Sequence, residues 1–237
     1  MRLEKASLKA IKYACMNFHY AKSIPVNTFG FSVFNDKNEW CGVILYGIGA
    51  NNNIAKTYNL NQGNVLELVR MALNGKQQST SKALSLSLKI LKKYNPLCKL
   101  IVSYADKDQN HNGIIYQATN WFYVGSSLVN KKDGSFIIND KRIHGKTISD
   151  KCKRYGLSKT INNIKIVYNT ENITEFVTKG KIKYLYPLDK SLFALCKSLS
   201  KPYPKKSINA TEVLPVAQQT TSQQEGFDST LSLNKTS

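Results

Sequence analysis

Apolar and polar positions follow two rhythms along this chain. Between Ser79 and Tyr94, Ala83, Leu84, Leu88, Leu91 and Tyr94 recur at the three-and-four spacing of a helix face, with Leu86 and Ile90 beside them. Ser79 or Ser81 can cap its start, Lys92 and Lys93 suit its negative end, and Asn95-Pro96 stops it. The spacing of Ala6, Leu8, Ile11, Ala14 and Cys15 predicts another helix over 5–17. β-Rich runs at 29–34 and 40–46, separated by Asn35-Asp36-Lys37-Asn38, predict a hairpin. Runs at 65–72 and 99–104 read as central strands, the first carrying Glu67 and Arg70, charges that are expensive in a strand unless paired or used. A short helix over 114–121 and a strand over 122–125 follow. Beyond them come strand-like runs at 164–168 and 182–186 and a last helix over 188–199. Residues 201–237, rich in Ser, Thr, Gln and Pro, lack periodicity and are expected to be a disordered tail. The order from 65 to 125 predicts an α/β layer arrangement.

One stretch breaks both rhythms. In Ser103–Trp121 the side chains of Asp106, Asp108, His111, Tyr116 and Trp121 crowd between two apolar runs. That places a polar loop where a strand ends and a helix begins, the crevice in which open α/β sheets hold ligands. An ordinary polar connection would look the same from spacing alone.

Composition changes the picture mainly through charge. The 237 residues carry 34 Lys+Arg against 15 Asp+Glu, a formal net charge of +19, which points to an anionic partner. Residues 131–200 hold 15 basic and 6 acidic side chains, the densest excess. There Lys141, Arg142, Lys146, Lys151, Lys153 and Arg154, interleaved with His144 and Tyr155, suit a phosphate backbone, although a solvated face has the same composition. Five scattered cysteines without CxxC spacing argue against a disulfide framework and a zinc finger. No apolar run approaches the roughly 20 residues of a membrane span, and Glu4 and Lys5 interrupt any signal-peptide core. A cytoplasmic protein that meets nucleic acid rather than membrane is the expectation.

Candidate chemistry falls in three places. Gln78, Ser79, Ser81 and Lys82 surround the start of the clearest helix, where free N–H groups and a lysine could hold a phosphorylated cofactor, or where serine merely caps. His19-Tyr20, in a loop before Pro25, offers a base or metal ligand beside a phenol. Asp106, His111 and Tyr116 could complete that site, and His19 with Asp106 forms a candidate metal pair, for iron among other ions.

The His19-Tyr20 pair, Glu67-Leu-Val-Arg70-Met71, the serine-rich helix start at 79–83, the run SYADKDQNHNGIIYQATNW with FYVG, and the segment KGKIKYLYPLD resemble a known family. It is the phage Mom-like adenine methylcarbamoylation proteins, distant relatives of the GNAT acyltransferases. The resemblance covers about residues 15–190, with 103–125 its most specific part. It implies a GNAT-like α/β (α+β) fold, a mixed central sheet flanked by helices, in which strands 65–72 and 99–104 splay to open a cleft. The expected organisation is a catalytic core over 1–130, a basic C-terminal extension of the same domain over 131–200 that contacts DNA, and the tail.

It further implies modification of adenine N6 in double-stranded DNA to a methylcarbamoyl (acetamido) adenine, which protects phage DNA from restriction in the host cytoplasm. His19, Tyr20, Asp106 and Tyr116 are then the expected catalytic residues, acting on a flipped adenine. The GNAT phosphate loop reads Q/R-x-x-G-x-G/A, and here Ser81 replaces the middle glycine. Acyl transfer would attach N6 to a carbonyl carbon, whereas this product attaches it to a methylene. The donor, acyl-CoA-like or otherwise, must therefore supply an electrophilic or radical methylene, or a first product must rearrange. An ordinary GNAT N-acyltransferase acting on a protein or small amine, and a non-catalytic basic DNA-binding protein, are the alternatives.

Overall fold

The computed structural model describes residues 1–49, 53–127 and 129–204. A seven-stranded sheet forms the core, built from β1 (Arg2–Lys5), β2 (Thr28–Phe34), β3 (Trp40–Gly47), β4 (Val65–Leu73), β5 (Leu100–Asp106), β6 (Phe122–Ser127) and β10 (Lys181–Pro187). Its order is β1-β2-β3-β4-β5-β10-β6, and the only parallel pair among these is β4 with β5. That pair is short: Val65–Glu67 face Leu100–Val102, and no register continues beyond them. The strands therefore part over their C-terminal halves, which is the splayed mixed sheet expected of a GNAT-like fold.

Helices cover both faces. α2 (Thr80–Tyr94) buries Ala83, Leu84, Leu88 and Leu91 against Tyr46, Ile101 and Trp121, and its Ser79 cap accepts the Lys82 N–H at 3.1 Å. α1 (Leu8–Asn17) lays Ile11, Ala14 and Cys15 on Val43, Leu45 and Ala72. It starts three residues later than expected, at a Ser7 cap, because residues 2–5 extend to pair with β2. α3 (Ile114–Gln117) is one turn rather than the expected eight residues, and the chain leaves it through Asn120 at φ 60°. The last helix, expected over 188–199, is a 3-10 turn at Lys190–Leu192 followed by α6 (Phe193–Leu199).

Residues 131–200 do two things. β7 (Lys131–Ile138), β8 (Lys141–Ile143) and β9 (Ile173–Thr178) form a separate three-stranded sheet ordered β8-β7-β9, packed by α4 (Gly145–Arg154) and α5 (Ile161–Tyr168). Phe136, Ile138, Ile148, Cys152 and Ile164 make its own core. The chain then returns through β10 into the main sheet, between β5 and β6. The basic segment is thus largely an insert between two strands of the core.

Residues 164–168, expected as a strand, belong to α5 instead. Thr160 caps that helix by accepting the Asn163 N–H at 3.3 Å, Ile164 is buried on its inner face, and Asn169 ends it in the left-handed region. Lys201–Pro204, placed with the tail by composition, are held to the core: the Lys201 N–H donates to the Tyr123 carbonyl and the Tyr203 hydroxyl to that of Trp121. The remaining tail, 205–237, lies outside the described residues.

Candidate active site

The cleft begins where β4 and β5 part. Past the last paired residues, Ser103 Oγ donates to the Leu68 carbonyl at 3.0 Å, a side chain supplying what the neighbouring strand no longer does. Further along, Arg70 of β4 and Asp106 at the end of β5 face the loop that follows α1. Arg70 donates to the Ser23 carbonyl and, at 3.0 Å, to the Ser23 hydroxyl, which fixes that loop over the cleft.

The loop delivers His19 and Tyr20, whose rings stack with centroids 4.2 Å apart. The Tyr20 hydroxyl stands 3.5 Å from Asp106 Oδ2, at the outer limit of a hydrogen bond. Its ring is T-shaped to that of His111 at 5.8 Å, and the residue is 48% exposed. Asp106 Oδ1 accepts the Asp108 N–H at 3.0 Å, and the Asp106 carbonyl accepts the His111 N–H at 3.1 Å. Residues 86 apart in sequence thereby share one site.

Electrostatics assigns states to these groups. Burial, then the Arg70 guanidinium, His111 and Lys22, push the His19 imidazole down to about 4, so it is neutral near pH 7. Its Nδ1 accepts the Ala21 N–H at 3.1 Å, so the neutral ring carries its proton on Nε2. Nε2 is then a hydrogen-bond donor in this arrangement. Burial, reinforced by the Asp106 charge, raises the Tyr20 phenol and keeps it protonated. Burial likewise raises the Glu67 carboxyl, with Lys181 opposing.

Tyr116 contributes its hydroxyl rather than its ring. It is 7% exposed and packs against Trp121 at 5.1 Å and Tyr184 at 4.9 Å, so its ring is a core ring that cannot stack on a base. Only its hydroxyl reaches towards the splay, 2.8 Å from Ser103 Oγ, and burial pushes that phenol up to about 12. Trp121 is fully buried, as core packing requires.

The metal pair does not fit a protein-built centre. Among the described residues no group of three or more His, Cys, Asp or Glu side chains could hold a metal ion. His19 would also have to give up either its Nδ1 contact or its Nε2 proton to ligate.

At the start of α2, Ser79 is occupied as the cap, its Oγ 3.0 Å from that of Ser81, while Gln78 is exposed and Lys82 lies near Asp36. Among the expected DNA contacts, Lys141, Lys153 and Arg154 are exposed on the insert. Lys146 pairs with Asp150 at 3.4 Å, and Lys151 sits 3.7 Å over the Tyr168 ring. Arg142, also exposed, is held by two carboxylates, Asp108 at 3.1 Å and Asp133 at 2.6 Å.

Arg70, quoted in the family motif without a role, is the residue that ties the His19-Tyr20 loop to β4. Its signal was present as a charge inside an apolar strand, with no indication of which loop it would hold.

The model of the Mom protein family matches residues 1–205. This chain belongs to the Mom protein family. Methylcarbamoylase Mom of Escherichia phage Mu is 28% identical over 131 residues, a match that covers 53% of this chain and 54% of that protein. The matched region thus spans about half the length of this curated relative. Among solved structures, a mutant of the spermidine N-acetyltransferase SpeG from Vibrio cholerae shares 11% identity at a TM-score of 0.44, over 82% of this chain and 99% of that one. A Bacillus subtilis acetyltransferase in complex with CoA shares 10% at 0.41, over 78% and 97%. Among the described residues no helix is long and apolar enough to cross a membrane.

Proposed function

We propose that this protein modifies adenine in double-stranded DNA at N6, installing a methylcarbamoyl (acetamido) group that shields the DNA from restriction in a host cytoplasm. The observation that carries this reading is the convergence of Tyr20, Asp106 and a neutral His19 at the open end of the β4–β5 splay in a Mom-family chain of charge +19.

The adenine amino group is a weak nucleophile because its lone pair is delocalised into the ring. Asp106 Oδ2 is the acceptor placed for one of its protons, since Oδ1 is already engaged. The half-exposed Tyr20 supplies an aromatic contact for a flipped base, and His19 Nε2–H a donor to a ring nitrogen or to the donor's carbonyl. Reaching N6 in a duplex by flipping costs a few kcal/mol, and phosphate contacts from Lys141, Lys153 and Arg154 offset it. In the bond-forming step N6 attacks a methylene carbon, the donor's leaving group departs with the electron pair of the broken bond, and the N6 proton passes to Asp106. The N–H groups of the first turn of α2, with Ser81 and Lys82, suit a phosphorylated donor.

Nucleoside mass spectrometry of DNA from cells expressing the chain tests this. An acetamido-modified deoxyadenosine that disappears in Asp106→Asn, with DNA binding retained, is the expected result. Unmodified DNA with a folded, expressed protein refutes it, and acetyl-CoA turnover on amines without DNA change selects an N-acyltransferase.

A further inference from the structure

We infer that Asp108 is a positioning residue, the bolt by which the basic insert sets the geometry of Asp106; the inference rests on the proposed reaction. Asp108 lies in the short 3-10 turn Lys107–Gln109 directly after β5, with its side chain 8% exposed. Three partners hold its carboxylate, and all come from the insert or its exit. Oδ2 accepts from Arg142 Nη1 at 3.1 Å and from the Thr178 hydroxyl at 2.6 Å, and Oδ1 accepts the Lys179 N–H at 2.7 Å. A buried carboxylate so fully satisfied stays ionised, in keeping with its lowered pKa.

The other end of the same residue reaches the site. The Asp108 N–H donates to Asp106 Oδ1, and this bond turns Oδ2 towards Tyr20. Arg142 is rigid where it grips Asp108: Asp133 of β7 holds its second nitrogen at 2.6 Å, and its guanidinium lies 3.7 Å over the Phe176 ring of β9. The insert therefore carries a preassembled fork whose free prong closes on the loop bearing the acceptor carboxylate. A charge that reads in sequence as a DNA contact is instead the tie between a DNA-facing lobe and the chemistry.

The test separates binding from turnover. Asp108→Ala and Arg142→Ala are expressed beside the parent, with modified deoxyadenosine measured per amount of protein. Duplex affinity of the purified proteins is measured by fluorescence anisotropy across a salt series. The expected result is a fall in modification of at least tenfold, with affinity within about threefold of the parent and an unchanged salt slope. The double variant should lose no more than either single, because both break one tie. Asp108→Asn, which keeps an acceptor oxygen, should recover part of the loss, and it serves as the measured variant if the alanine form does not fold.

Full modification by Asp108→Ala and Arg142→Ala, or an affinity loss matching the modification loss, overturns the inference alone. A parent that leaves DNA unmodified overturns the proposed function and this inference together.

Discussion

Acidification should reveal the His19 state through the stability of the fold. The imidazole titrates at about 4 rather than 6.5 because it is buried beside the Arg70 guanidinium. At pH 7 only about one ring in a thousand carries a proton. The unfolded chain takes that proton near 6.5 and the native chain only near 4, so between those values the unfolded state binds more protons. Stability from this group is complete above about pH 6.5 and is lost progressively down to about pH 4. At about 1.4 kcal/mol per pH unit the loss would reach about 3.5 kcal/mol, and the partial exposure of the ring trims it to about 2.

The chain has three histidines, so NMR titration of their C2 protons resolves His19, with a His19→Gln variant for assignment. Arg70→Met should raise the His19 value without restoring it to 6.5, because burial is the larger cause. A His19 midpoint above 6 in the folded parent, or a ring protonated at Nδ1, would refute the neutral-donor reading.

Other predictions are independent of that ring. Trp121→Ala should cost about 3–5 kcal/mol in chemical denaturation, because it empties a site packed between Tyr116 and Tyr186. Trp121→Phe should cost less, since among the described residues the indole N–H makes no hydrogen bond that would be lost. Ser79→Ala should remove the α2 cap and about 1 kcal/mol, read from the urea midpoint at constant m-value. Lys153→Ala should weaken duplex binding whatever the sequence and lower the salt slope by about one unit; an unchanged slope would exclude that side chain from phosphate contact.

The parts of the fold legible in the sequence are those whose signals are local. The hairpin announces itself in Asn35–Asn38, and α2 in its leucine stripe, serine cap and Asn95-Pro96 stop. α5 was masked because Ile164-Lys-Ile-Val-Tyr168 also fits a strand; Thr160 and Asn169, its two caps, were the better signal. The small sheet was hidden because β7 finds β9 across about 40 residues and carries Lys131 and Lys132 on its exposed end. At the site, the motifs named His19, Tyr20 and Asp106, yet only the folded chain brings them together. The burial of the Tyr116 ring was not legible because an aromatic near a polar loop looks the same in sequence whether it faces a substrate or a core. The ion pairs of Arg142 were not legible because every charge in a basic run looks alike until its carboxylates, 34 and 9 residues away, are placed.

The position of β10 also bears on how the molecule is made. Because it lies between β5 and β6, both of those strands present a bare edge from the time they are synthesised until Lys181–Pro187 emerge, after the whole insert. Strand edges left waiting are templates for wrong pairing, and contacts this distant in sequence form late. The insert buries its own apolar side chains, Phe136, Ile148 and Ile164 among them, in a cluster separate from the main sheet, so the intervening stretch has packing of its own to form while the slot is open. The last strand to arrive is then the one that closes the sheet.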